Sequence, residues 1–282
     1  MPGNRLMSRA RMRTITAYQC FLLHLYRFSP STQSAYRGAI QRFADSAPRY
    51  IDQISAEHIE RFLMSERKTR IASTCNLYLA AIKSWFNWME ETYNIPNPAK
   101  RIKRLKTLPP RRRNLTSEEF NRIIKSTTGY MRDIIQFMAM VGIRASEMLS
   151  LREENVRGNF LVFIGKGSKQ CSTPLNSIAQ NILKTNPTLL NLTKNRNRKW
   201  LFRLCRRASK IAGLETPISP HDLRHFYANQ LHRSCNGEPG LSIEIISKLM
   251  NHSTPAVTAS VYIEWLNDDL IGKTEKLTKL SK

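Results

Sequence analysis

The sequence predicts a mainly α protein with a small β-sheet, divided into a helical N-terminal domain and an α+β C-terminal domain. Apolar residues recur at helical spacing through residues 15–99, and a basic, proline-containing stretch follows at 100–114. Beyond 115, capped helices surround one pair of strand-like runs, Phe160–Ile164 and Gln170–Pro174. A chain of 282 residues suits two domains by the usual prior of roughly 100 to 200 residues each, and an apolar content of 41% is enough for packed cores.

Residues 1–14, with Arg5, Arg9, Arg11 and Arg13, read as a basic arm that needs no fold to touch phosphate. In the region 15–99, Ser31-Thr32 is expected to cap a helix carrying Tyr36, Ile40 and Phe43 on one stripe. Ser55-Ala-Glu-His58 opens a second helix, with Ile59, Phe62 and Leu63 inward. A third, from Ile71 to Glu91, sets Leu77, Leu79, Ile82, Trp85, Phe86 and Trp88 at helical spacing, and these aromatics read as core. Residues 100–114 then hold Lys100, Arg101, Lys103, Arg104, Lys106, Arg111, Arg112 and Arg113 without one acid. Such a run reads as a solvated linker, and equally as a stiff basic bridge suited to a protein that clamps a duplex.

The region 115–265 opens on a capping box, Thr116-Ser-Glu-Glu119, followed by a helix from Met131 to Val141 that Gly142 and Ile143 break before Arg144. Arg144 and Glu147 stand three apart, by themselves the spacing of a structural ion pair. The two strand-like runs form a hairpin whose turn, Gly165-Lys166-Gly167-Ser168-Lys169, lacks the spacing of a phosphate-binding P-loop. Residues 186–199 read as a loop ahead of a basic helix, Trp200 to Ala212, and Asn236–Gly240 as a turn. Residues 266–282 read as a short, amphipathic, lysine-rich tail.

Charge narrows the partner. The 45 Lys and Arg exceed 21 Asp and Glu by 24, which points to a polyanion, and the lack of a long apolar span favours nucleic acid over membrane. Five cysteines, at 20, 75, 171, 205 and 235, form no close pairs, so neither a disulfide framework nor a zinc site is expected and a reducing, cytoplasmic setting is. The run Ala17–Tyr26 is interrupted by polar residues and no small-residue cleavage site follows, so a signal peptide is not expected.

The stretch Ser219–Trp265 concentrates the chemistry. Ser219 as N-cap, Pro220 at the first helical position and Asp222 in the first turn predict a helix start, with His221 at its positively polarised mouth. Arg224 and His225 share a face with His221. The bland alternative is a helix start with solvated His and Arg. Leu241–Met250 reads as an amphipathic helix broken by Asn251, His252, Ser253 and Pro255. On one straight helix His252 and Tyr262 would stand about 15 Å apart, at roughly 1.5 Å per residue, so the break is needed if both are to reach one phosphate. Taken alone, Tyr262 reads as a packing tyrosine.

The boxes His221-Asp-Leu-Arg224-His225, Leu249-Met-Asn-His252-Ser and Val261-Tyr262 resemble the C-terminal signature of the tyrosine recombinases, the phage integrase and Xer family. Val141-Gly-Ile-Arg144-Ala-Ser-Glu147 resembles that family's first arginine box, and the turn around Lys166 resembles its β-hairpin lysine. The likeness runs in order over residues 15–265. It implies a helical, SAM-like core-binding domain at 15–99 and a recombinase catalytic domain at 115–265. It implies Arg144, Lys166, His221, Arg224, His252 and Tyr262 as catalytic residues, with Glu147 and His225 in support. Cys171 stands where a basic residue is common and Asn251 where glycine is usual. Val141 and Ile143 also depart from the pattern, and the spacing from His252 to Tyr262 is one residue longer than in some relatives.

What the resemblance implies chemically is strand cleavage by transesterification. Tyr262 attacks to give a 3′-phosphotyrosyl link and a free 5′-hydroxyl, and Arg144 and Arg224 clamp the phosphate through planar, bidentate donation. Lys166 protonates the leaving oxygen, His221 serves as base or proton relay and His252 bonds the phosphate. Neither metal nor ATP is called for. The implied partner is double-stranded DNA, touched by the basic residues from Lys100 to Arg113 and by Lys169. The implied assembly is a homotetramer on synapsed duplexes, monomeric or dimeric when free, with the C-terminal tail exchanged between protomers. The size is that of a Xer protein, without room for an added arm-site-binding domain. The competing readings are a non-catalytic DNA-binding protein and a type IB topoisomerase-like relaxing enzyme.

Overall fold

The structure is a computed structural model that describes residues 12–107, 113–165, 170–194, 196–233 and 240–251. The chain falls into two compact units that divide between Pro110 and Arg111.

The first unit is a four-helix cluster: α1 (Thr14–His24), α2 (Pro30–Ser46), α3 (Ala56–Arg67) and α4 (Ala72–Tyr93). α2 begins two residues earlier than the sequence suggests. Ser29 is its N-cap, accepting from the Thr32 amide at 3.3 Å, because Pro30 suits the first helical position. α3 opens on the expected Ser55, with His58 closing the capping box. α4 presents Leu79, Ile82, Trp85, Phe86 and Met89 inward, all nearly or fully buried, while Leu77 points outward, 39% exposed. Helical spacing placed Leu77 with the core, yet it lies on the exposed flank of the stripe. Phe43 of α2 meets Phe62 edge-on at 5.3 Å and Trp85 at 6.4 Å.

Both ends of this unit are tied down further than expected. Residues 12–14, read as the end of a free arm, pair with residues 48–51. The Thr14 amide donates to Arg49 at 2.9 Å, the Thr14 hydroxyl to the Pro48 carbonyl at 2.6 Å, and the Ile51 amide to Met12 at 3.1 Å. At the other end Ala99 and Ile102 are buried in the core, and Asn76 clasps the backbone of Leu105 at both its amide and its carbonyl. Lys100, Arg101, Lys103, Arg104 and Lys106 fan outward around those anchors.

The second unit packs α5 (Ser117–Ser126), α6 (Gly129–Val141), α7 (Ala145–Ser150), α8 (Ser177–Thr185), α9 (Arg198–Ile211) and α10 (Pro220–His232) around one apolar core. A three-stranded antiparallel sheet stands against them: β1 (Val156–Arg157), β2 (Phe160–Ile164) and β3 (Gln170–Pro174). The β2–β3 register pairs Leu161 with Thr173 and Phe163 with Cys171. β1 is too short to have shown a period of two in the sequence. The capping box of α5 (Thr116, Glu119) forms as expected, and α10 starts at Ser219 with Asp222 in its first turn as expected. Residues 187–194, expected as loop, wind into two 3₁₀ turns on either side of a kink at Asn191, because Leu189, Leu190 and Leu192 bury against the core. The last helix among the described residues, the short α11 (Ile243–Leu249), is capped by Ser242 and packs on α10.

The aromatic pairing at the centre of the first unit gives a stability expectation. Phe43→Ala should cost about 3–5 kcal/mol, the usual range for emptying a buried phenyl site. Urea unfolding followed by tryptophan fluorescence would measure it, and a loss below about 1 kcal/mol would show that Phe43 is not central.

Candidate active site

The site is built where α10 crosses the ends of α6 and α11. Leu223 and Phe226 of α10 face the main core, with the Phe226 ring stacked on Phe120 at 4.5 Å. Tyr227 and Ala228 face Ile246 and Met250 of α11. Between these two faces lies Arg224, 3% exposed. A buried guanidinium requires acceptors, and the backbone supplies them: Arg224 donates to the Gly142 carbonyl at 2.6 Å and to the Met250 carbonyl. Both carbonyls belong to helix ends, where they lack partners within the helix and carry the negative end of the dipole.

Gly142 has a specific task here. It ends α6 in the left-handed region, φ 68°, and a Cβ at this position would come within 3 Å of the Tyr227 ring. Only glycine lets Tyr227 cover the turn that presents the carbonyl to Arg224. Tyr227 itself is 8% exposed. Burial pushes its phenol up, with the Arg224 charge pulling the other way, which disfavours Tyr227 as a nucleophile.

Arg144 is the N-cap of α7. Its amide donates to Glu147 Oε2 at 2.9 Å and its guanidinium to Glu147 Oε1 at 2.7 Å. Glu147 is 4% exposed, so one buried carboxylate fixes both ends of the arginine. The second guanidinium nitrogen reaches the carbonyl of Asn251 at 3.4 Å. Arg144 and Arg224 therefore hold adjacent carbonyls of the same peptide segment, Asn251 and Met250, immediately before His252.

That segment explains the departure from glycine at 251. Asn251 has φ 51°, in the left-handed region that glycine favours and that asparagine tolerates better than most residues. Its side-chain amide donates to Thr173 Oγ1 of β3 at 3.2 Å. Val141 and Ile143, the departures in the first arginine box, are 1% and 2% exposed and serve the core. Cys171 lies in β3 opposite Phe163.

The two histidines of α10 sit together, His221 exposed and His225 7% exposed, their rings edge to face at 4.2 Å. The helix mouth, which the sequence suggested as an anion site, is taken by the chain itself: Asp222 Oδ2 accepts from the Ser219 amide at 2.7 Å and from its hydroxyl at 2.8 Å. The cationic centre lies one turn deeper, at Arg224. Lys166, Lys169, Arg111, Arg112, His252 and Tyr262 lie outside the described residues. Arg113, expected in the basic bridge, donates instead to Glu119 at 2.6 Å and to the Thr216 carbonyl, and its side chain is 14% exposed.

The sequence marked α9 as basic but named none of its residues as contacts. Leu201, Leu204, Cys205 and Ala208 bury one face; Arg198, Lys199, Arg203, Arg206, Arg207 and Lys210 occupy the exposed one. No ion pair among the described residues involves any of these six. The signal was legible as charge at i, i+4 and i+7 opposite the apolar stripe. Burial pushes the Cys205 thiol up to about 12.

Comparisons with known proteins bear on the family and the fold. The Phage integrase family matches residues 113–267, and its N-terminal SAM-like domain matches residues 20–94. A tyrosine recombinase of Thermosipho africanus is 28% identical over 94% of this chain and 99% of its own length. Tyrosine recombinase XerA of Pyrococcus horikoshii is 30% identical over 70% of this chain and 72% of its own. The fold resembles XerH bound to palindromic difH substrate, with a TM-score of 0.70 at 15% identity, covering 96% of this chain and 86% of that one. It also resembles a lambda integrase tetramer bound to a Holliday junction, with a TM-score of 0.72 at 16% identity, covering 90% and 82%.

Two expectations follow from the local chemistry. Gly142→Ala should destabilise the second unit by about 1–3 kcal/mol through its left-handed backbone and the Tyr227 contact; chemical denaturation would detect this, and an unchanged midpoint would refute it. Cys205 is fully buried, and that burial both shields its thiol and holds it protonated. Native protein should therefore leave Cys205 unalkylated by iodoacetamide at pH 8, as peptide mass spectrometry would report, whereas denatured protein should not.

Proposed function

The chain belongs to the phage integrase family of tyrosine recombinases, and on that premise we propose how its residues carry out site-specific DNA recombination. The observation that carries the proposal is the meeting of Arg144 and Arg224, from boxes far apart in sequence, at the single segment Met250–Asn251. A scissile phosphate with two charged non-bridging oxygens calls for two such donors, and planar guanidinium groups suit that geometry better than ammonium groups.

In this reading Tyr262 attacks phosphorus as its phenol, ordinarily near pKa 10, gives up a proton. The bond to the 5′-oxygen breaks, Lys166 protonates that oxygen, and a 3′-phosphotyrosyl link remains. His221, exposed at the start of α10, relays protons; His225 supports its ring; His252 donates to the phosphate. Glu147 holds Arg144 in place. The phosphotyrosyl bond conserves the energy of the linkage it replaces, so rejoining needs neither ATP nor a metal ion.

Duplex binding falls to the exposed lysines and arginines from Lys100 to Lys106, to Arg111, Arg112 and Lys169, and to the basic face of α9. Arg113 serves chiefly to hold Glu119 and Thr216. Four copies acting on two synapsed duplexes, exchanging C-terminal tails within a reducing cytoplasm, complete the proposal.

The test is a nicked suicide substrate that loses its 5′-hydroxyl fragment on cleavage. Wild type should leave a covalent protein–DNA adduct in the presence of EDTA, and Tyr262→Phe should bind the site yet leave none. Arg224→Ala should slow adduct formation by about 10²–10³, the usual cost of one transition-state donor. Salt-sensitive binding without adduct would favour a non-catalytic DNA-binding protein. Relaxation of supercoiled plasmid by a monomer without site preference would favour a type IB enzyme.

A further inference from the structure

Tyr227 follows Arg224 by three residues on α10, on the same face of the helix. Its ring rests so closely on Gly142 that a Cβ there would bring three ring atoms, Cγ, Cδ1 and Cε1, within 3 Å. The same side chain belongs to an apolar cluster with Ile246 and Met250 of the α11 end. One aromatic residue thus packs with both turns that give their carbonyls to Arg224, those of Gly142 and Met250. Burial is nearly complete throughout: Tyr227 is 8% exposed, Arg224 and Met250 each 3%. The guanidinium–carbonyl bonds are therefore shielded from water, where each is stronger and each misalignment costs more. The Arg224 charge also acts on the Tyr227 phenol, so the two side chains are close in space as well as in sequence.

We propose that Tyr227 is a positioning residue for strand cleavage: its ring sets the spacing of the α6 and α11 ends, and through their carbonyls it aims Arg224 at the scissile phosphate. This rests on the recombinase reading above. A guanidinium is planar and rigid, but the methylenes that carry it are not, so its acceptors decide where it points. Two carbonyls at a fixed separation leave it one orientation. That separation depends on what fills the space beside the turns, and close-packed interiors register a change of even one methylene. A flat ring against the bare Cα of Gly142 fills the space, and a leucine side chain does not. Phenylalanine has the same ring, so the hydroxyl has no share in this task.

A misdirected Arg224 fails at neutralising a charged non-bridging oxygen, whereas general loosening of the unit slows every substrate alike. Single-turnover adduct formation is therefore measured on suicide substrates with either a phosphate or a methylphosphonate, which lacks one charged oxygen, at the scissile position. In both, the tyrosine oxygen bonds phosphorus, the P–O5′ bond breaks, and the 5′-oxygen leaves with a proton. Tyr227→Leu should be about 10-fold to 10²-fold slower than wild type on phosphate, the upper figure being the typical cost of a misplacement of about 1 Å. It should match wild type on methylphosphonate and bind both duplexes with unchanged affinity, while Tyr227→Phe, which keeps the ring, should recover the wild-type rate. In an Arg224→Ala background Tyr227→Leu should cost nothing further on phosphate, since the group it directs is gone; this arm decides alone if methylphosphonate does not react. Should Tyr227→Leu fail to fold, Gly142→Ala displaces the ring from its other contact and should show the same dependence on linkage, its cost given above being below the usual stability of a domain. An unchanged rate on phosphate, an equal loss on both linkages, a loss in Tyr227→Phe, or a further loss in the Arg224→Ala background overturns the proposal and leaves the recombinase reading intact. Absence of any adduct from wild type on phosphate overturns both.

Discussion

A positive charge buried among helices is the constraint that orders this catalytic unit. Arg224 cannot be solvated where it lies, so the ends of α6 and α11 must deliver carbonyls to it. Removing one partner of a buried charge typically costs about 3–5 kcal/mol, far more than a surface contact yields. That demand accounts for Gly142, whose left-handed backbone turns its carbonyl inward beneath Tyr227. It also sets the position of α11, a helix too short to be stable alone, through Met250. Glu147 does for Arg144 what the two carbonyls do for Arg224. Both guanidinium groups are held by the protein's own acceptors, so the conformational cost of aligning them falls on folding.

Much of this was legible in the sequence because it is local. The helix starts at Ser55, Thr116 and Ser219, the pair of hairpin strands and most of the inward stripe of α4 follow from spacing within one or two turns. What the sequence could not show depends on neighbours distant in the chain. Leu77 matches the helical period but stays exposed. Leu189, Leu190 and Leu192 look like loop residues until a core is present to receive them. Arg113 belongs to a basic run, yet Glu119 and Thr216 hold it back from solvent.

The same distinction applies to the site. The pairing of Arg144 with Glu147 at i, i+3 could be read directly, and so could the shared face of His221, Arg224 and His225. The convergence of the two arginines on Met250 and Asn251 could not, because it joins three helix ends. Asn251 shows the difference best: as a letter it is a departure from glycine, and as a backbone with φ 51° it is one of the few residues able to replace glycine. The basic face of α9 was visible as charge, but only its exposure opposite a buried stripe gives that charge a direction.

The account stands on Arg144 and Arg224 neutralising one phosphate, and a charge-deleted substrate tests this most directly. Adduct formation by Arg144→Ala and by Arg224→Ala is compared on a normal scissile phosphate and on a methylphosphonate, in which a methyl group replaces one charged oxygen. The account predicts a large loss on phosphate that is mostly recovered on methylphosphonate, since the neutral linkage no longer needs the missing cation. An equal loss on both linkages would contradict it.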